Sequence, residues 1–98
     1  MQRGDVWAYR PQGSPRQQQV VLVSSDGINQ SGRAWLLGVP LAVEDPADIL
    51  AVPVPGHGWA DTGQITRYYR RWLAEHLATL EADTLDQLNA ALRAALDL

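Results

Sequence analysis

The sequence predicts a mainly β domain that ends in a helix (α+β), and two patterns lead to this prediction. The first two-thirds of the chain hold short runs rich in β-branched and aromatic residues, separated by turns that contain Gly and Pro. In the last third, apolar residues recur at helical spacing. A chain of 98 residues is expected to form one domain, 1–98.

Four runs are predicted to be strands, at 6–9, 19–24, 34–39 and 49–54, and a short fifth strand is expected at 62–65. Residues 26–32 are predicted to form a turn. Proline cannot donate to a sheet ladder, so Pro40 is expected to close the third strand. For the same reason Pro53 places the fourth strand at an edge or ends it.

The C-terminal helix has the strongest pattern. Thr84 and Gln87 match a capping box, and an apolar stripe follows: Leu85, Leu88, Leu92, Ala95 and Leu96. Periodicity alone would also extend one helix over residues 67–80.

Composition and charge exclude several classes of protein. The chain has no Cys, no apolar run long enough to span a membrane and no secretion signal, which predicts a cytoplasmic protein without disulfides. Its net charge is −3, and all eight basic residues are Arg. Residues 1–38 carry four Arg and two acids, whereas residues 39–66 carry four acids and no Arg. A phosphate-facing surface is therefore expected from the N-terminal half plus Arg67, Arg70 and Arg71; the alternative is a scattered solvated surface.

Two histidines are the remaining candidates for chemistry. His57 and His76 are far apart in sequence and lack a partner at metal-ligand spacing, so we predict neither a metal site nor a cofactor. His76 lies on an apolar stripe and is expected to be a satisfied core or edge histidine. His57 lies between Pro55-Gly56 and Gly58-Trp59, in a turn. Histidine exchanges protons near neutral pH, so His57 is either a catalytic group or a plain loop residue.

The order of short motifs resembles one family. Arg3-Gly4-Asp5-Val6-Trp7 precedes a loop at 11–16, a β-rich run ends in Ser24-Ser25-Asp26, and Gln64-Ile65-Thr66 follows. This order resembles the MazF/PemK toxins, which are metal-independent endoribonucleases of type II toxin–antitoxin pairs.

The resemblance implies both an architecture and partners. The implied fold is an SH3-like, partly closed antiparallel β-barrel of the MazF/CcdB toxin type, with a short helix ending near Leu73 and an extended piece over 77–80. The implied partners are single-stranded RNA, a second copy in a homodimer, and a cognate antitoxin whose acidic tail blocks the groove.

The catalytic pair of that family does not carry over. MazF-like toxins resemble one another in placing an Arg, usually followed by Pro, at the start of the second strand. They place a Thr or Ser just after the Pro that ends the third strand. The matching positions here are Gln18 and Ala42.

Two interpretations remain open. In the first, Arg16 supplies the guanidinium, His57 or Ser24 accepts the proton, and RNA lies along a wider set: Arg10, Gln12, Gln18, Gln64 and Arg67. In the second, the fold is kept without the chemistry, and the protein binds DNA gyrase or another target as CcdB toxins do. Residues 39–42 are similar to a CcdB segment, but the Asp97-Leu98 ending does not match that family.

Overall fold

The computed structural model describes residues 1–12 and 14–97. Within these residues it contains seven strands, two α-helices and one 3-10 turn. In chain order they are β1 (Asp5–Tyr9), β2 (Gln18–Leu22), α1 (Asp26–Asn29), β3 (Trp35–Ala42), β4 (Ala51–Val54), β5 (Gly58–Asp61), β6 (Thr66–Tyr69), the 3-10 turn (Arg70–Trp72), β7 (Leu73–Thr79) and α2 (Ala82–Leu96).

All seven strands form one antiparallel sheet in the order β4-β5-β3-β2-β1-β7, with β6 also paired to β3. The long strand β3 organises it, because β2 lies along one edge of β3 while β6 and then β5 share the other. Strands β4 and β7 stand at the two ends of this order and do not pair with each other. The predicted partly closed barrel with a C-terminal helix is confirmed.

Strand β3 continues through Pro40, so the expectation that this proline closes the strand is wrong. The backbone of Leu37 points toward the β2 side of the strand. Its C=O accepts a hydrogen bond from Val23 N–H at 3.0 Å, and its N–H donates to Ser24 Oγ at 3.3 Å. Backbone groups alternate along a strand, so the nitrogen of Pro40 points to the opposite edge. On that edge the pairing with β6 ends at Gly38 and the pairing with β5 begins at Leu41. The missing N–H therefore falls in a gap between two partner strands.

Two turn regions also differ from prediction. The segment that follows β2 was expected to be a turn, but Asp26–Asn29 forms one helical turn. Ser25 caps it, since its hydroxyl accepts a hydrogen bond from Ile28 N–H at 3.4 Å. The fifth strand expected at 62–65 is wrong, because these residues connect β5 to β6.

The stretch 67–80 is mostly extended. The prediction of one helix from periodicity is wrong. In place of the short helix implied by the family resemblance, the structure has the 3-10 turn Arg70–Trp72. The extended piece over 77–80 is confirmed as far as Thr79, the end of β7. Strand β7 pairs with β1 from Leu73 to Thr79, and this tertiary pairing outweighs the local helical pattern.

Helix α2 begins earlier than predicted. Its N-cap is Glu81, which makes no side-chain capping bond, so Thr84 lies inside the first turn and is not a cap. Leu88 and Leu92 are buried and Leu85 packs against them, whereas Ala95 and Leu96 are exposed because the stripe runs past the sheet. No helix in the described part of the chain is long and apolar enough to cross a membrane.

The core lies in two clusters. The larger one is formed by α2, β4 and the inner residues of several other strands: Val6, Val21, Val39, Val52, Val54, Ala60, Leu80, Leu88 and Leu92. The second lies around the ring of Tyr68: Tyr9, Val20, Leu22, Leu36 and Leu73. The Tyr9 and Tyr68 rings meet edge to face with their centroids 4.8 Å apart.

Burial in the second cluster gives the fold a weakness at alkaline pH. Burial, and to a lesser extent the neighbouring Tyr9, raises the pKa of Tyr68 from 10.0 to about 12. Between these values the unfolded chain loses the phenolic proton while the folded chain keeps it. The contribution of Tyr68 to the free energy of unfolding is therefore fully present below pH 10 and falls as the pH rises toward 12.

We expect Tyr68→Phe to unfold at higher pH than the parent when followed by circular dichroism. Tyr69→Phe, which removes the hydroxyl of an exposed ring, is the matched control and should unfold with the parent. Identical alkaline midpoints for the two variants would contradict this expectation.

Candidate functional site

A cleft of about 480 Å³ opens where four separate segments meet. They are the start of β2, the end of β3, the turn before β5 and the segment before β6. The residues that line it are Gln17, Gln18, Gln19, Pro40, Leu41, Val43, His57 and Gln64. The cleft thus brings together three of the residues predicted from sequence: Gln18, His57 and Gln64. Ala42 adjoins it, directly after Leu41.

Glycines place His57 at this cleft. Strands β4 and β5 form a hairpin closed by Val54 C=O, which accepts the His57 N–H at 2.9 Å. Gly56 and Gly58 adopt φ of +81° and +106°, which side chains with a Cβ rarely tolerate. A Cβ on Gly58 would lie 2.1 Å from the carbonyl oxygen of Ala42. Glycine therefore allows β5 to pass directly against the end of β3 and brings His57 to β2.

The imidazole of His57 is held in one orientation. Its Nδ1 lies 2.8 Å from Gln19 Oε1. This contact ties the imidazole to the side chain of Gln19 on β2 and fixes the position of the ring. The side chain is partly exposed and lines the cleft. This arrangement is suited to taking a proton from a group bound there.

The guanidinium of Arg10 contacts a residue of the cleft wall. Its Nη2 donates to Oε1 of Gln17, which lines the cleft. Arg16 and Gln12 are exposed on the β1–β2 loop and are not among the residues that line the cleft. The backbone N–H of Arg16 donates to Ser14 Oγ at 3.2 Å. The catalytic role predicted for Arg16 and the RNA contact predicted for Gln12 remain predictions.

Gln64 and Arg67 face different surroundings. Gln64 Nε2 donates to Asp61 Oδ2 at 2.7 Å, which anchors the amide at the cleft wall. Arg67 lies three residues further along, on β6 and outside the cleft, with its guanidinium 5.4 Å from the centre of the Trp35 ring.

Sequence reasoning missed Gln19 as the partner of His57. It named Arg10 as an RNA contact but not as the guanidinium that bonds to Gln17. Nothing in a run of three glutamines distinguishes the one that meets a histidine 38 residues away. Ser24, considered as an alternative proton acceptor, is buried and bonded to Asn29 Oδ1, where it supports α1.

His76 is an edge histidine on β7. Its Nε2 lies 3.2 Å from Thr79 Oγ1 and 3.4 Å from Asp5 Oδ1. In the described ranges, 1–12 and 14–97, no three side chains of the kinds that bind metals come together.

Comparison with known proteins finds neither a family model nor a curated protein that matches the sequence. Solved structures do match. A mycobacterial endoribonuclease in complex with its cognate antitoxin has a TM-score of 0.87 and 22% identity, over 100% of this chain and 96% of that one. A chain of the MazE–MazF structure from Deinococcus radiodurans has a TM-score of 0.83 and 17% identity, over 100% of this chain and 96% of that one. Mycobacterium tuberculosis toxin MazF-mt6 has a TM-score of 0.82 and 13% identity, over 96% and 97%.

These neighbours match nearly the whole chain, which agrees with the order of motifs that begins at Arg3-Gly4-Asp5. The chain therefore has the fold of the MazF toxins.

Proposed function

We propose that this protein, as a single domain over residues 1–98, is the toxin of a toxin–antitoxin pair and cleaves single-stranded RNA in the cleft without a metal ion. The observation that carries the proposal is the contact between His57 Nδ1 and Gln19 Oε1, both of residues that line the cleft. With Nδ1 as the donor in this contact, Nε2 is the nitrogen that takes a proton. The fold supports it as well, since a solved structure of this fold is a mycobacterial endoribonuclease with its antitoxin.

The proposed reaction is an attack of the RNA 2′-hydroxyl on the adjacent phosphorus. His57 Nε2 takes the hydroxyl proton while the new O–P bond forms. The bond from phosphorus to the 5′-oxygen then breaks, and the departing oxygen takes a proton from solvent in the open cleft. The products are a 2′,3′-cyclic phosphate and a 5′-hydroxyl, so no water is consumed in this step.

A guanidinium would stabilise the negative charge that builds up on the phosphorane. Gln18 and Ala42, at the positions matched to the family's catalytic pair, supply neither a guanidinium nor a hydroxyl. Arg10 is hydrogen-bonded to Gln17 of the cleft wall, whereas Arg16 would have to move in from the loop. We therefore assign the charge-stabilising role to Arg10 first and to Arg16 as the alternative.

The test is cleavage of single-stranded RNA by purified protein in EDTA, with analysis of the product ends. We expect defined cuts that leave cyclic phosphates. Arg10→Ala should lower the rate by about 10²–10³-fold, the typical loss for one preorganised donor, and Arg16→Ala should lower it less. The reverse order would assign the role to Arg16. Absence of cleavage by the parent protein would contradict the proposal.

A double variant separates loss of chemistry from loss of fold. Gln18→Arg with Ala42→Thr restores the pair that the family resemblance places there. If the parent does not cut and this variant does, the natural chain is a binder on a toxin fold. If neither cuts and DNA gyrase is inhibited, the CcdB-like interpretation holds.

The partners belong to the same proposal. An antitoxin with an acidic tail would block the cleft, and two copies would form a homodimer, which sedimentation would detect as about twice the 10.8 kDa chain. A monomer at micromolar concentration would contradict the dimer.

A further inference from the structure

Outside the cleft, one tryptophan lies close to two arginines. The guanidinium carbons of Arg33 and Arg67 lie 5.3 Å and 5.4 Å from the centre of the Trp35 ring. Both arginines are exposed, and Trp35 is partly exposed. Tyr69, with 42% of its surface exposed, is paired directly across from Trp35. We call these four residues the Trp35 platform.

A different arginine, Arg70, bonds to the backbone next to the platform. Arg70 donates from Nε to the carbonyl oxygen of Arg33 at 2.9 Å, and its backbone N–H donates to Ala34 C=O at 2.9 Å. Its Nη1 donates to Asn29 C=O at 2.8 Å at the end of α1. The loop that carries Arg33 is therefore fastened to the start of the 3-10 turn, and Arg70 has a structural role.

The charge of the platform is not neutralised locally. Between the residues that the structure describes, the ion pair found within 4.0 Å is that of His76 with Asp5, and it involves none of the arginines here. A hollow of about 450 Å³ adjoins the platform, lined by Gly32, Arg33, Ala34, Tyr69, Arg70 and Arg71. Three exposed guanidinium groups, those of Arg33, Arg67 and Arg71, thus lie around aromatic rings in a chain of net charge −3.

The platform and the cleft lie along the same strand. Trp35 begins β3, and Leu41, six residues on and therefore on the same face of the strand, lines the cleft. At about 3.3 Å per residue the two are on the order of 20 Å apart. This separation is well within the length of oligonucleotide that small single-strand-binding domains engage, about 4–16 nucleotides.

We propose that the Trp35 platform is a second RNA subsite, where an unpaired base stacks on Trp35 and the flanking phosphates pair with Arg33 and Arg67. The inference rests on the proposed function for the identity of the ligand. Stacking explains a ring at this surface, which an acidic peptide would not require, and arginines around the ring match the phosphates on either side of a base.

The test measures binding separately from cleavage. A fluorescent 2′-O-methyl oligonucleotide of about 12 residues, which has no 2′-hydroxyl to attack, is titrated with the full chain and followed by anisotropy. The expected result is binding about tenfold to a hundredfold tighter than that of an abasic strand of the same length. Trp35→Leu should remove this difference, and Trp35→Phe should retain most of it.

Two control variants are matched by residue type. Trp59→Leu removes a partly exposed tryptophan that lies beside Asp45 and Asp48, and it should keep the difference between base-containing and abasic strands. Arg33→Ala and Arg67→Ala should each reduce the slope of log affinity against log salt by about 0.7. Arg93→Ala on α2 should leave that slope unchanged.

Three results would overturn the inference: equal binding by Trp35→Leu and the parent, equal competition by poly-glutamate, or loss of binding explained by dissociation of a dimer. If Trp35→Leu does not fold, quenching of tryptophan fluorescence decides, since base-containing strands should quench the parent more than Trp35→Phe. RNA cleavage that persists with Trp35-independent binding would reject the subsite and leave the proposed function standing. Trp35-dependent binding without any cleavage would reject the proposed function and leave the subsite standing.

Discussion

Replacing His57 with Ala is expected to slow RNA cleavage by about 10²–10⁴-fold, which is the usual contribution of a positioned general base. The bond from Nδ1 to Gln19 Oε1 sets the ring orientation, and the other side chains that line the cleft belong to Gln, Pro, Leu and Val, which are not general bases. The measurement is single-turnover cleavage of a short RNA in EDTA, with product ends identified as cyclic phosphates.

The matched control for this variant is His76→Ala. His76 is exposed on β7 and contacts Asp5 and Thr79, away from the residues that line the cleft. Its loss should leave the cleavage rate within a few-fold of the parent. Equal rates for His57→Ala and the parent would remove His57 from the mechanism, whatever the role of the arginines.

Gly58→Ala is expected to give the largest structural effect among the Gly→Ala changes in the part of the chain that the structure describes. The added Cβ would lie 2.1 Å from the Ala42 carbonyl oxygen, and the backbone φ of +106° is itself costly for alanine. We expect a loss of roughly 2–4 kcal/mol in the free energy of unfolding, from strain and from the movement that relieves the clash. Because His57 is the neighbouring residue, cleavage should fall as well, even in protein that remains folded.

Gly56→Ala separates the cost of the positive φ from the cost of the steric clash. Gly56 also has a positive φ, +81°, but a Cβ there would meet nothing within 4 Å. This variant should lose about 1–2 kcal/mol, the cost of the left-handed backbone alone. Both values come from urea unfolding monitored by tryptophan fluorescence. Equal losses for the two glycines would mean that β5 can move away from Ala42 freely.

The strands were predictable wherever neighbouring residues carry the signal. The β-branched run through Val20, Val21 and Leu22 is buried on the sheet, and Pro53 lies on the edge strand β4 as expected. The segment from Arg67 to Leu80 was not predictable from periodicity, because its aromatic and Leu residues are spaced as in a helix. Pairing with β1 and β3 decides its structure, and that pairing is not visible in the segment itself.

The candidate site shows the same division. His57 could be selected from sequence because it is a titratable residue between glycines. Its partner Gln19 could not, and Arg10 could be named as an RNA contact but not paired with Gln17, since both contacts form only when the sheet assembles. The platform at Trp35 was hidden for a similar reason, because Arg33 and Arg67 are 34 positions apart in the chain and meet at a single ring.

The placement of the cleft has a consequence for how such proteins diverge. Gln17, Gln18 and Gln64 are exposed. Val20 and Val21, two and three residues after Gln18 on β2, are fully buried. Substitutions at the cleft therefore cost the core little, and a lineage can exchange its reactive groups while the scaffold persists. Solved structures with 13–22% identity superimpose with TM-scores of 0.82–0.87, so the same scaffold forms from widely different sequences.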